Sequence, residues 1–277
     1  MRYRLVALDI DGTILDDAGE MRPAVHAAID AVRARGLQVI LCTGRRYRTA
    51  EPFVRALQLD GPIVTQNGVL VRDAATSEVL ESRLLPVEVY ERAYRMLCEV
   101  GAPLVYLHDH PEGADFLFEA PDRSHLFQRE YLDDHGASGC ELASLERAPE
   151  VGLVMMSAMA DRESLSAIRP RVEDELGPDI RTHLIENRNY RGFILEIVSA
   201  RAGKWPALAA VARRMGVDAC EILAIGDDQN DLEMITRAGL GIAMGNAPPE
   251  VQTHADEVTA SHVEDGVVRA LERHVLV

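Results

Sequence analysis

The 277-residue chain has no apolar run approaching the ~18 residues of a membrane-spanning helix. Its first residues, Met1 to Asp9, pass straight into a strand-like segment. They lack the longer apolar stretch and small-residue cleavage site of a secretion signal. Cysteine is sparse: Cys42, Cys98, Cys140 and Cys220 are scattered, and none forms a C-x-x-C pair. That excludes a zinc ribbon or redox pair and reads as reduced thiols in a cytoplasmic protein. Basic charge is short as well, with 29 Lys and Arg against 45 Asp and Glu, a formal net charge of −16. A nucleic-acid binder needs a basic face to neutralise phosphates, and a membrane-surface protein needs a basic helix, so neither partner is expected. An anionic small molecule remains compatible, because a metal or a lysine reverses the field inside a cleft. At 47% hydrophobic and 27% charged residues, the chain has an ordinary soluble composition. Its length suggests two domains of roughly 150 residues each.

Leu5-Val6-Ala7-Leu8 is a short continuous apolar run, the mark of a strand buried on both faces. A polar turn and a helix follow, the helix with Pro23 near its start, Val25, Ala28, Ile29 and Val32 on one face, and Gly36 as its stop. Leu37–Leu41 reads as a second strand, then a helical stretch broken at Pro52, then Pro62–Thr65 as a third strand. This alternation predicts an α/β fold with a doubly wound parallel sheet. A hairpin around Asp73–Ser77 follows, and from about Leu84 a separate α/β unit begins. It holds a helix near Pro86–Val100, another at Asp161–Leu176, and strands near Leu104–Leu107, Asp115–Phe118, Val151–Met159, Ile180–Ile185 and Phe193–Val198. The first rhythm returns at Lys204, with a strand at Ile222–Ile225, a helix holding Leu232 and Ile235, and short strands at Leu240–Met244 and near Glu257.

Three strand ends carry polar residues: Asp9-Ile10-Asp11-Gly12-Thr13, Thr43-Gly44-Arg45, and Gly226-Asp227-Asp228-Gln229-Asn230-Asp231. Ligands of an open parallel sheet bind just beyond such ends. Carboxylates from opposite ends of the chain therefore converge on one crevice and need a cation. An all-oxygen set suits Mg²⁺, which typically serves phosphate chemistry. Asp9 and Asp11 flank one residue, so both can face the cleft, and Gly12 permits the tight turn after them. One carboxylate can attack phosphorus, and the other can protonate the leaving oxygen and then activate water. Thr43 and the Gly44 N–H, at the start of a helical segment, suit phosphate oxygens. Lys204 can neutralise the transferred group.

These residues, in this order, resemble the four motifs of the haloacid dehalogenase (HAD) superfamily: Asp9-x-Asp11-Gly12-Thr13, Thr43-Gly44-Arg45, Lys204, and Gly226-Asp227-x-x-Asn230-Asp231. The large insertion after Gln66-Asn67-Gly68 resembles the Cof-type sugar-phosphatase branch, with an α/β cap of type IIB. The resemblance implies a HAD-like core at 1–83 and 199–277 and an inserted cap at 84–198 that closes over the cleft. It implies Asp9 as nucleophile and Asp11 as general acid/base. Mg²⁺ would be held by Asp9, the Asp11 backbone carbonyl, Asp227 and Asp231, the last directly or through water. Thr43, Gly44, Lys204 and Asn230 would hold the phosphoryl group. The activity implied is Mg²⁺-dependent hydrolysis of a small phosphorylated metabolite through an aspartyl-phosphate. The branch usually has Lys-Gly, whereas this chain has Lys204-Trp205-Pro206; Pro206 is acceptable in a first helical turn.

Several other groups read as ordinary structure. His108-Asp109-His110 lacks a third zinc ligand and reads as a polar loop. Met155, Met156 and Met159 lie in a strand-like run and read as core. Arg188 to Arg191 form a polar stretch that either reads sugar hydroxyls or is a solvated turn. Arg45 either reaches substrate or pairs with a carboxylate, the second being favoured. Asp228 is a first-turn helix residue or a neighbour of the metal site. The competing functions are a phosphomutase on the same scaffold, a dehalogenase, which needs no metal set, and a catalytically silent metabolite binder.

Overall fold

A computed structural model of the protein describes residues 2–108, 113–120, 126–147, 149–150, 152–186 and 192–276. In chain order the elements are β1 (Leu5–Leu8), α1 (Pro23–Ala34), β2 (Gln38–Leu41), α2 (Tyr47–Ala56), β3 (Pro62–Thr65), β4 (Leu70–Asp73) and β5 (Val79–Ser82). Next come α3 (Val87–Cys98), β6 (Leu104–Leu107), β7 (Phe116–Phe118), α4 (Leu126–His135), β8 (Gly139–Glu141), β9 (Leu153–Ala160), α5 (Arg162–Leu176), β10 (Ile180–Glu186) and β11 (Phe193–Ser199). The chain ends with α6 (Lys204–Arg214), β12 (Ile222–Gly226), α7 (Leu232–Arg237), β13 (Leu240–Ala243), α8 (Pro249–His254), β14 (Glu257–Val258) and α9 (Gly266–His274). Two compact units result: Met1–Ser82 with Ala202–Val277, and Arg83–Arg201. Among the described residues, no helix is long and apolar enough to cross a membrane.

The first unit is built on a parallel sheet with strand order β14-β13-β12-β1-β2. Successive side chains of a strand point to opposite faces, and both faces of β1 are buried. Val6 and Leu8 join one hydrophobic cluster with α1 and α9, while Leu5 and Ala7 join another with α6 and α7. The α1 residues Val25, Ala28, Ile29 and Val32 recur at helical spacing, so they form one buried stripe. Each fully buried Val or Ile there contributes roughly 1.5–3 kcal/mol. From β1 the chain winds outward to β2 on one side, and β12 adjoins β1 on the other. The sheet order reverses there, opening a crevice at the carboxyl ends of β1 and β12. Leu8 is in register with Ile225, so the residues that follow the two strands are neighbours.

Two expectations are corrected. Pro62–Thr65 is not a full member of the parallel sheet: β3 pairs antiparallel with β4, and β4 with β5. Among the described residues, an isolated parallel bridge, Cys42 to Val64, ties β3 to the residue that follows β2. Gln66 and Asn67, at φ +50° and +52°, turn the chain back on itself, so the local hairpin competes successfully with the longer-range pairing. Nor does Pro52 break α2, which runs through it. The lost N–H bond would fall to the carbonyl of Arg48, a residue on the exposed face, while Ala50 and Val54 keep the helix anchored. The sequence reading also lacked α4, β8, α8 and α9.

The second unit holds a six-stranded sheet, order β10-β11-β9-β6-β7-β8, antiparallel except for β7 with β8. Val105, Leu117, Met156, Ala158, Leu195 and Ile197 pack from it against α3 and α5. Met156 and Met159 are buried, as expected, and Met155 is half-buried. Asp109, His110 and Arg188 to Arg191 lie outside the described residues.

Gly68, at φ +82°, lets the turn before β4 approach the backbone that starts α6. A Cβ there would lie 2.0 Å from the Gly203 carbonyl oxygen. Gly68→Ala should therefore cost about 2–4 kcal/mol, read as a lowered urea midpoint; an unchanged midpoint would show that the approach is not tight.

Candidate active site

The site forms where β1 and β12 end. The Asp9 N–H donates to the Ile225 carbonyl at 3.0 Å, which fixes the first carboxylate beside the β12 loop. The Gly12 backbone turns sharply at φ +74°, and a Cβ there would sit 2.2 Å from Asp227 Oδ2. The two loops therefore close on each other only because residue 12 has no side chain. Thr13 Oγ1 donates to Asp227 Oδ1 at 3.2 Å.

Lys204 is the first residue of α6, where the helix dipole disfavours a cation. Two carboxylates compensate. Its Nζ donates to Asp9 Oδ1 and to Asp231 Oδ1, each at 2.6 Å. The three side chains are almost wholly buried, at 1%, 7% and 0% exposure for Lys204, Asp9 and Asp231. Burial opposes the Lys204 charge, but Asp231 and Asp9 outweigh it and hold the ammonium above its ordinary pKa. Asp231 Oδ2 accepts the N–H groups of Asp227 and Asp228 at 3.1 and 3.2 Å, so both of its oxygens are engaged. Asp228 caps the turn that follows, accepting the Gln229 N–H at 2.7 Å.

Asp9, Asp227 and Asp231 each offer an oxygen within 4.8 Å of the others. Three carboxylates face one ammonium, and the imbalance is visible in their acidities. Burial pushes Asp9 well above the carboxylate range; Lys204 pulls it back, while Asp231 and Asp227 push it further up. Asp227 is pushed up to about 7, first by burial and then by Asp231 and Asp228. A divalent cation with hard oxygen ligands is what this donor set accommodates.

Asp11 sits in a different environment. Its side chain is 57% exposed, and Arg45 grips it through Nε to Oδ2 at 2.7 Å and Nη2 to Oδ1 at 2.5 Å. Arg45 also reaches the Thr49 carbonyl and lies over the Phe53 ring. Of the two readings of Arg45, the carboxylate pair is the one observed. Thr43 is fully buried, and its Oγ1 accepts the Arg45 N–H at 3.0 Å. The expectation that Gly44 starts a helix is corrected: α2 begins at Tyr47, because residues 43–46 form a polar turn. Asn230 Nδ2 donates to Asn67 Oδ1 at 2.9 Å.

The eight predicted residues thus fall into linked groups: Asp9, Lys204, Asp231 and Asp227; Asp11 with the Thr43-Gly44 turn through Arg45; and Asn230 with Asn67. Sequence reasoning gave no role to Thr13, Asn67 or Asn246. Thr13 stood inside a motif, and Asn67 stood in the quoted Gln66-Asn67-Gly68. Asn246, whose Nδ2 lies 2.9 Å from the Gly12 carbonyl, carried no signal.

Comparison with known proteins identifies the family. The family model of haloacid dehalogenase-like hydrolases matches residues 6–271. YxeH of Bacillus subtilis is 31% identical over 278 residues, covering 99% of each chain. The pyridoxal phosphate phosphatase YbhA of Escherichia coli is 28% identical over 287 residues, covering 100% of each. The solved structure of the HAD subclass IIB sugar phosphatase BT4131 superposes with a TM-score of 0.77 at 21% identity, covering 99% of this chain and 100% of that one. With the parallel sheet and its inserted α/β unit, the match over nearly the whole length places the chain in the haloacid dehalogenase-like hydrolase family, as an enzyme of its Cof-type branch.

Proposed function

We propose that this phosphoric monoester hydrolase is Mg²⁺-dependent and acts on a small phosphorylated metabolite through a phosphoryl group carried on Asp9. The observation that carries the reading is the contrast between two carboxylates one residue apart. Asp9 is buried and oriented by Lys204, while Asp11 is exposed and held by Arg45. Pairs of titratable groups in such different environments take different chemical roles.

Asp9 Oδ attacks phosphorus and the bond to the leaving oxygen breaks, while Asp11, which takes a proton from solvent on its exposed side as it leaves Arg45, gives that proton to the leaving oxygen. Asp11 then takes a proton from water, whose oxygen attacks the same phosphorus. Orthophosphate leaves and the Asp9 carboxylate is restored. The Lys204 ammonium holds Asp9 in one rotamer, and its charge offsets the incoming phosphate. Thr43, the Gly44 N–H and Asn230 hold the phosphoryl oxygens. Asp9, the Asp11 backbone carbonyl and Asp227 would hold Mg²⁺, with Asp231 acting through water because its oxygens already serve Lys204 and two amides. When bound, the ion supplies positive charge to a site short of it. The substrate class follows relatives of this length: YbhA acts on pyridoxal phosphate and BT4131 on sugar phosphates. A cytoplasmic location is part of the same reading.

Asp9→Asn should lower Mg²⁺-dependent hydrolysis of an aryl phosphate about a thousandfold or more, read by steady-state phosphate release. Turnover equal to wild type would sink the assignment, and a burst without steady release in the wild type would point to a phosphomutase. A panel of sugar, polyol and pyridoxal phosphates should show one kcat/KM well above the rest.

Metal binding should depend on pH with a definite sign. Asp227 is raised from 3.8 to about 7, so between these values the folded, metal-free protein holds a proton that the unfolded chain has lost. Its contribution to stability therefore falls as pH rises through that window. Mg²⁺ replaces the proton, so the rise in melting temperature on adding Mg²⁺ should be small near pH ~5.5 and larger near pH ~8. An equal rise at both ends would argue against Asp227 as a ligand.

A further inference from the structure

Two asparagines outside the four motifs join the motif loops in pairs. Asn246 lies just after β13, in Gly245-Asn246-Ala247. Its Nδ2 donates to the Gly12 carbonyl at 2.9 Å and to Asp227 Oδ2 at 3.3 Å, and its Oδ1 accepts the His262 N–H at 3.0 Å. The amide has one workable orientation, because a flip would set its oxygen against two acceptors and its NH₂ against a donor. With Thr13 on Oδ1 and Asn246 on Oδ2, each Asp227 oxygen is held by one hydrogen bond and keeps a lone pair.

Asn67 lies in the turn between β3 and β4. Its φ of +52° is a conformation that Asn tolerates better than most residues. Its N–H donates to the Thr43 carbonyl at 3.0 Å, and its Oδ1 accepts from Asn230 Nδ2 at 2.9 Å. The same Oδ1 lies 3.0 Å from where a Cβ on Gly44 would stand. One residue therefore connects the Thr43-Gly44 turn with the loop after β12.

We propose that Asn246 and Asn67 are positioning residues with separate tasks, Asn246 setting Asp227 for the divalent cation and Asn67 setting Asn230 and the Thr43-Gly44 turn for the phosphoryl group. The proposal rests on the function assigned above, and it differs in predicting that the two tasks can be lost one at a time. Among the described residues, the Asn67 side chain bonds Asn230 and its N–H bonds the Thr43 carbonyl, and no hydrogen bond runs from Asn67 to Asp9, Asp227 or Asp231. Conversely, among the described residues the side-chain bonds of Asn246 go to Gly12, Asp227 and His262.

The test is calorimetric and needs no turnover: titrate Mg²⁺ into the metal-free protein, and orthophosphate into the Mg²⁺-saturated protein. Asn246→Ala should weaken Mg²⁺ about tenfold or more, as loss of a bond to a ligand does, and leave orthophosphate within about twofold. Asn67→Gly keeps the backbone conformation and removes only the side chain. It should weaken orthophosphate about fivefold to tenfold and leave Mg²⁺ within about twofold. Because the Asn67 side chain bonds Asn230 while its backbone bond to Thr43 survives in the glycine variant, the double variant Asn67→Gly/Asn230→Ala should bind orthophosphate like Asn230→Ala alone. Melting of the metal-free variants checks folding, and Asn246→Ser carries the first arm if Asn246→Ala does not fold. Both constants moving together in either variant, neither moving, or additive losses in the double variant would overturn the proposal. Wild-type protein that binds Mg²⁺ and orthophosphate but hydrolyses no phosphate ester would overturn the functional reading alone. Wild-type protein that binds neither would overturn both.

Discussion

The site depends on one buried ammonium. Lys204 reaches Asp9 and Asp231 with almost no exposure to water, where neither the cation nor the carboxylates would be tolerated alone. Removing one member of such a group typically costs about 3–5 kcal/mol, because the others are left unpaired. Everything that brings the three together is therefore under constraint. β1 must end at Asp9, α6 must begin at Lys204, and the loop after β12 must turn back so that Asp231 points inward. Gly12 and Gly68 answer the same demand: a side chain at Gly12 would hold the loops after β1 and β12 apart, and one at Gly68 would push the turn before β4 away from the start of α6.

The ammonium leaves the site short of positive charge rather than neutral. That deficit, once a divalent cation fills it, is what would let a chain with a formal charge of −16 take an anionic substrate. Most of its carboxylates lie on the solvated surface, where water screens them. Asp9, Asp227 and Asp231 do not, and their mutual repulsion in a poorly solvated pocket gives the site a demand for a divalent cation before any phosphate arrives. Arg45 plays a related part at Asp11. Its guanidinium is anchored by Phe53 and Thr49, so Asp11 is kept near Asp9 without adding a further buried charge to the cluster.

Most of this arrangement was legible in the sequence, and the reason is chemical. Parallel strands buried on both faces announce themselves as apolar runs, as Leu5–Leu8 and Ile222–Ile225 do, and charged residues directly after them stand out. The misreadings had local physical causes. Pro62–Thr65 looks like any parallel strand until its following turn is seen to reverse the chain through two positive φ angles at residues that are not glycine. Pro52 reads as a helix break, but buried Ala50 and Val54 anchor the helix on either side of it. The stretch that forms α4 is mostly polar, and α8 spans only six residues, so neither gives a strong helical period.

The residues that stayed illegible share one property: they are uncharged and act on other side chains. A carboxylate beside a strand end suggests a role by its charge, whereas Asn246 and Asn67 look like ordinary turn residues. Their value comes from having a donor and an acceptor a fixed distance apart on a short side chain, which suits joining two loops whose own groups are already assigned. Such residues are needed because the crevice is assembled from separate loops, after β1, after β2 and after β12, and the parallel ladder fixes where each loop starts but not where it ends. A lysine can bring carboxylates together by attraction from several directions. Only a hydrogen bond with a defined angle can set which lone pair of Asp227, or which face of Asn230, is presented to an incoming ligand.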